Sequence, residues 1–522
     1  MPSWDMGYKS EILYTYIYFE ATNPLWNKFI MAHSGLAFPD LSNGGYACEL
    51  GFGQGLSVNV HALTSHTEWY GNDFNPTQTR FAQRTASISD VKNVHLYDDS
   101  FKQLAERTDL PQFDYVYLHG IWSWISRENQ QYIVDFLEKH LKVGGVVYIS
   151  YNVSPGFQLV EPVRNLMKQF DDTMLAPTVD NDARMLAMQE YLVRLFKHSP
   201  SFLQANPSVV NYALDIFKKD AHYISNEYLN DDWDIIHFSD MAQTLERAKL
   251  QFACSSAGGQ FFDKYRFTPE QSDFLSTLRG NTLVYEETRD FMIHEYFRRD
   301  LFVKGKEVLT HSQKMKQLRT LHFVFARETD KFDFTIASSK GPIQLPLEYY
   351  EPIFNFCKDH KVHSYAEVLD TFADKDVNGY HITEDNVLEV LQNLTLSNTI
   401  MPAAAPEALS PEIIERTKHF NRVILLEEPD SPIKFLVSPI TQSGMYFNDV
   451  LRALLREYMR DSNVSPEQLK QMLAKRTEGL QVSDEIKKKI DDKQLTMEDM
   501  INETVDKFFS DYLPLYKSLE II

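Results

Sequence analysis

The run Tyr46–Leu63, YACELGFGQGLSVNVHAL, constrains the fold more than any other stretch of this 522-residue chain. Tyr46, Ala47 and Cys48 are short and apolar, as a buried parallel strand requires. Gly51, Gly53 and Gly55 follow, and Leu56, Val58, Val60, Ala62 and Leu63 then read as a helix. Strand, glycine-rich turn and helix together present backbone N–H groups and a positive helix end to a nucleotide-like ligand. Any Cβ in such a turn would block close approach or forbid a positive φ.

Spacing separates the candidate ligands. A dinucleotide fingerprint, G-x-G-x-x-G, would need its third glycine at position 56, where the chain has Leu56. The glycine comes one residue early, so the run is E-x-G-x-G-x-G from Glu49 to Gly55. It resembles the first motif of class I S-adenosylmethionine-dependent methyltransferases. That cofactor carries a sulfonium and an α-amino group instead of a pyrophosphate, so an acidic Glu49 at the strand end makes electrostatic sense.

The segments that follow extend the pattern. TEWYGNDFNPTQ predicts a second strand ending at Asp73, then a helix started by proline. A carboxylate at that distance past the glycines suits ribose hydroxyls, which makes Asp73 the expected ribose ligand and Phe74 the adenine neighbour. In VKNVHLYDDSF, Asp99 with Ser100 is expected to meet the adenine amino group, with a helix N-cap as the competing role. FDYVYLHGIWSWIS supplies a fourth strand and a loop carrying His119, Trp122 and Trp124, expected where the methyl group leaves. HLKVGGVVYISYNVSPG supplies a fifth strand ending at Tyr151 and Asn152, which with His119, Trp122 and Trp124 are the candidates for orienting an acceptor amine, His119 being also a candidate cofactor contact. In the aromatic lead-in before residue 46, Tyr16 or Tyr18 is expected over the sulfonium, with Tyr18 as the cofactor contact, since a ring face attracts a cation.

Later motifs narrow the resemblance. Glu227, Tyr228, Leu229, Trp233, Phe238, Asp240, Met241 and the AKL at 248–250 follow the pattern of a methyltransferase regulatory region. With the glycine motif and Y-N-x-x-P-G at 151–156, they make residues 10–305 resemble bacterial methyltransferases that include the rickettsial protein-lysine methyltransferases of outer membrane protein B. The resemblance implies a lysine-bearing protein substrate, such as an outer membrane protein before export, and S-adenosylmethionine as cofactor. Small-molecule or tRNA methylation, and a non-catalytic cofactor-binding scaffold, share the same motifs and stay open.

The expected fold is an α/β Rossmann-like methyltransferase sheet followed by helical and winged-helix-like α+β domains. The expected units are a cofactor-binding domain at 1–165, a helical insertion at 166–225 offering a dimer or substrate contact, a regulatory-type region at 226–305, a winged-helix-like middle domain at 306–405 and a helical C-terminal domain at 406–522. MPAAAPEALSP at 401–411 reads as a linker, and KRTEGLQVSDEIKKKIDDKQ as a solvated charge run.

Bulk properties exclude several classes. A formal charge of −21 disfavours a broad nucleic-acid surface and suits a cationic partner. The three cysteines, Cys48, Cys254 and Cys357, lie far apart, with no zinc spacing and no disulfide framework. No apolar run reaches the roughly 18 residues of a membrane span, and the N-terminus lacks secretory features, so a cytoplasmic protein without a metal is the expectation.

Overall fold

The computed structural model describes residues 14–176, 178–219, 221–327, 332–338, 341–428, 430–477 and 496–522. At its centre lies a seven-stranded sheet of β1 (Tyr46–Leu50), β2 (Glu68–Asn72), β3 (Val94–Tyr97), β4 (Phe113–Leu118), β5 (Leu141–Asn152), β6 (Leu250–Ser255) and β7 (Phe297–Lys304). Their spatial order is β3-β2-β1-β4-β5-β7-β6. The first five strands pair in parallel, and β7 runs antiparallel between β5 and β6. Helices α1 (Pro24–His33), α2 (Leu56–Thr64), α3 (Pro76–Ser87), α4 (Phe101–Glu106) and α5 (Arg127–His140) complete this part of the chain. Covering on both faces explains why β1 and β4 read as nearly continuous apolar runs. Ala47, Cys48, Leu50, Tyr115, Val116 and Leu118 are all fully buried.

The chain leaves β1 to one side for β2 and returns on the other side for β4, so a crevice opens at the carboxyl ends of these strands. Each helix that borders the crevice starts from a defined cap. Gly55, at φ +65°, precedes α2; Asn75 accepts the Thr77 N–H before α3, with Pro76 at the first helical position; Ser100 caps α4.

Between β5 and β6 the chain forms helices Glu161–Met174, Asn181–Lys197, Ser201–Ala205, Ser208–Ile216 and Ala221–Tyr228. They share a separate core built on Met167, Met188, Leu192, Ala213 and Ile224. The last two strands of the sheet therefore come from beyond residue 165, in the segment expected to be regulatory.

Past β7, a three-stranded antiparallel sheet places His322–Phe325 between Val362–Ser364 and Ile400–Ala403. A hairpin of Lys375–Val377 and Tyr380–Ile382 stands beside it, between helices Tyr365–Phe372 and Glu384–Leu396. The segment expected as a linker is instead built into this unit: it enters as the strand Ile400–Ala403, then a short turn Pro406–Ala408, with Ala403, Ala404 and Ala408 buried. Small apolar side chains pack there, so composition alone misread it. Most of the charge run at 475–494 lies outside the described residues.

The C-terminal helices surround a hairpin, Phe435–Ser438 with Ser443–Tyr446, and dock on the back of α2. Arg416 donates to the carbonyls of Ala62, Leu63 and Ser65 at 2.7–2.8 Å, placing a cation at the negative end of the helix that begins at the glycine loop. Gln442 donates to Thr64 O at 3.0 Å. Among the described residues, no helix is long and apolar enough to cross a membrane.

Candidate active site

At the carboxyl ends of β1, β2 and β4 lies a cavity that opens to solvent. Its floor is the loop after β1. Gly51 sits at φ +67°, and a Cβ there would stand 2.6 Å from Ile121 Cδ1. Gly53, at φ +56°, faces the cavity, with Gln78 Oε1 3.3 Å from where its Cβ would be. These two positions require glycine through both backbone angle and space.

Two buried carboxylates flank the loop. Glu49 accepts the Val58 N–H and the Tyr117 hydroxyl, both at 2.9 Å. Burial pushes its carboxyl up to about 8, despite those donors. Asp73 ends the second strand, its Oδ2 accepting from Gly53 N at 2.8 Å and its Oδ1 from Asn75 N at 2.9 Å. Burial lifts Asp73 to about 7. Bringing a cation into this crevice therefore favours ionisation of both groups.

The cavity also holds acceptors waiting for donors. Gln78 Oε1 and Asn72 Oδ1 are buried and have no hydrogen-bond partner among the described residues. Asn72 lines the cavity and uses its Nδ2 on Asp99 O at 2.9 Å. A ligand rich in hydroxyl and amino groups would satisfy both atoms, since a buried orphan acceptor is costly.

The opposite wall is aromatic. His119 lies on the ring of Phe19, centroids 4.2 Å apart, and its Nδ1 meets the Tyr148 hydroxyl at 2.8 Å. Burial, with the nearby Arg299, holds His119 down to about 3, so its imidazole is neutral at physiological pH. Tyr14 and Trp124 also line the cavity, Tyr14 close to both Gly53 and Gly120.

Of the expected site residues, Glu49, Gly51, Gly53, Asp73, Phe74, Ser100, His119 and Trp124 line this one cavity. Gly55 supports it from behind as the cap of α2. Ser100 also accepts the Gln103 N–H at 3.3 Å as the N-cap of α4, the role that competed with an adenine contact.

Others lie elsewhere, each held by particular partners. Tyr18 is turned away into the C-terminal core, beside His61 and Phe435, and its backbone N–H bonds the Tyr446 hydroxyl at 2.6 Å. Tyr16 packs on Phe81. Tyr14 and Phe19 stand at the cavity in their place. Asp99 is held outward by an ion pair with Arg107 at 2.9 Å. Trp122 is buried in the core beneath the loop. Tyr151 is fully buried and donates to Asp300 Oδ2 at 2.6 Å, and Asn152 is tied through its backbone to Ser123 and Ile236. Sequence reasoning passed over Asn72 and Gln78, although each lies within five residues of Asp73.

A doubly wound sheet with a glycine loop after its first strand, an acidic end to its second and an aromatic loop after its fourth defines a class I methyltransferase fold. Residues 220–304 match the family described as a predicted methyltransferase regulatory domain. The chain is 29% identical to the protein sll1526 of Synechocystis sp. over 99% of its own length and 100% of that protein. It is 34% identical to RP028 of Rickettsia prowazekii, over 30% of this chain and 62% of that protein. Among solved structures it resembles PKMT2 from Rickettsia typhi in complex with AdoHcy, at 17% identity and a TM-score of 0.64, covering 97% of this chain and 98% of that one.

Proposed function

We propose that this chain transfers methyl groups from S-adenosylmethionine to lysine side chains of a protein. The observation that carries this reading is the convergence of Gly53, Glu49, Asp73 and the unpartnered Gln78 Oε1 on one cavity whose other wall is aromatic. Bound there, S-adenosylmethionine supplies an electrophilic methyl group on a positive sulfur. Asp73 retains lone pairs for ribose hydroxyls, and Gln78 and Asn72 offer oxygens to hydroxyl or amino donors. Glu49 supplies negative charge toward the cationic end. Phe19, His119 and Trp124 exclude water and hold an acceptor in line, which is the main task in a displacement of this kind. Neutral His119 adds no competing positive charge.

A protein acceptor is supported by the full-length likeness to PKMT2, whose structure holds AdoHcy. It is supported also by the acidic balance of the chain, which suits a lysine-bearing surface better than RNA. The helical segment at 166–225 offers further substrate or homodimer contact, and a cytoplasmic setting fits an acceptor modified before export.

The test is incubation of the full chain with methyl-tritiated S-adenosylmethionine and a bacterial lysate. Label is expected on protein bands, recovered after hydrolysis as methylated lysine. Label confined to RNA or to solvent-extractable material overturns the protein acceptor, and no transfer at all overturns the enzyme.

A further inference from the structure

We propose that Glu227, with the aromatic side chains around it, receives the acceptor amine and takes its proton. This deepens the methyl-transfer reading and rests on it. Glu227 closes the helix Ala221–Tyr228, and its place is fixed from three sides. The Tyr14 hydroxyl donates to its Oε1 at 3.1 Å, and its backbone carbonyl accepts from Trp124 Nε1 at 2.9 Å and Trp233 Nε1 at 3.0 Å. Tyr14 and Trp124 line the cavity, so this carboxylate stands one hydrogen bond from its wall.

The surroundings of Glu227 lack an ion-pair partner among the described residues. The one lysine that acts on it, Lys219, instead lies over the ring of Tyr223 at 4.6 Å. Tyr14 bonds the carboxylate directly, and Tyr212, Tyr223 and Tyr228 of the helical segment lie within its electrostatic reach. Half-buried rings pack against these. Tyr212 stacks parallel to Tyr296 at 6.1 Å, and Phe157 meets Tyr212 at 6.1 Å and Trp233 at 5.8 Å.

A desolvated carboxylate in an aromatic setting is costly alone and well matched to an alkylammonium. The ring faces attract the cation and the apolar stem, while the oxygen accepts its N–H. Burial pushes Glu227 up to about 7, against Tyr14 and Lys219 which lower it, so it can take a proton near neutrality. The step balances. The lysine ammonium gives one proton to the carboxylate, and its freed lone pair forms the nitrogen–carbon bond as the sulfur–methyl bond breaks with its electrons to sulfur. The product is a methylammonium, and Glu227 returns its proton to water.

The experiment measures binding of n-butylamine, with n-butanol as the neutral control, to the full chain saturated with S-adenosylhomocysteine. Wild type is expected to bind butylamine saturably, more weakly as the pH falls from 8 to 6. E227Q, which keeps an oxygen for the Tyr14 hydroxyl, is expected to lose at least tenfold in amine affinity and the pH dependence, with butanol unchanged. S-adenosylhomocysteine affinity should stay within about twofold. Equal butylamine binding by wild type and E227Q, or none by wild type, overturns the role of Glu227 and leaves the methyl-transfer reading standing. Failure of wild type to bind S-adenosylhomocysteine sinks both. W233L, which removes the indole N–H from the Glu227 carbonyl, should weaken butylamine with the same thermal midpoint as E227Q.

Discussion

Asp73 Oδ2 accepts the backbone N–H of Gly53 at 2.8 Å, so the tip of the glycine loop is held by the residue that ends the second strand. One carboxylate thus shapes the loop and still presents lone pairs to the cavity. D73A is expected to weaken S-adenosylhomocysteine binding by more than tenfold and to lower the thermal midpoint as well. D73N should bind better than D73A, because one oxygen still accepts. Calorimetry with melting curves checks both, and normal affinity in D73A would exclude a ligand contact.

Gly53 also tests the loop directly. At φ +56° a side chain is strained, and one here projects toward Gln78 and Tyr14, next to the Asp73 carboxylate that holds the Gly53 N–H. G53D should abolish measurable binding, a loss of more than about a hundredfold, the sum of strain and charge repulsion. Calorimetry showing wild-type affinity would contradict the site.

The elevated carboxyl of Glu49 makes stability depend on pH. Its folded value, about 8, lies above its ordinary 4.5, so its contribution is fully present below about 4.5 and is lost as pH rises through 8. Denaturation of the ligand-free protein should show wild type weakening between pH 5 and 8 relative to E49Q, by a few kcal/mol at about 1.4 kcal/mol per unit. Binding of the cationic cofactor should release protons over the same window, seen as a buffer-dependent heat. A flat difference between the two proteins across this range would remove Glu49 from the account.

Tyr151 lies in the core, and its removal should be a stability change only. Y151F strips a donor from Asp300, whose Oδ2 is also held by Arg298 Nε at 2.7 Å. A loss of about 1–3 kcal/mol is expected, with cofactor and amine affinities unchanged. A selective fall in kcat with unchanged melting would return Tyr151 to the chemistry.

Arg416 joins the C-terminal helices to α2 through the carbonyls of Ala62, Leu63 and Ser65. R416A leaves those carbonyls without their cation and should cost about 1–3 kcal/mol. Cofactor affinity should fall only modestly, because the glycine loop sits at the other end of the helix. Urea denaturation followed by calorimetry reads the two effects separately.

The segments legible from sequence are those whose physics is local. A strand, a turn that needs positive φ and a helix are specified within Tyr46–Leu63, and Asp73 and His119 follow because they end strands of the same sheet. Tyr18 and Tyr14 show where that reasoning stops. Both lie in an irregular aromatic stretch with no periodicity to fix a facing, and Tyr446, 428 residues away, takes Tyr18 into the core. Tyr151 was misread for a similar reason, because the charged partner opposite it stands on β7, a strand that no nearby residue announces.

By itself, then, the sequence determined the glycine loop, its two flanking acids and the class of sheet that carries them, because backbone angle and strand polarity are set by neighbours. Only the tertiary structure decided which aromatic rings line the cavity and that Glu227 bonds one of them, Tyr14. Those choices depend on side chains brought together across hundreds of residues, where packing and desolvation act and sequence spacing carries no signal.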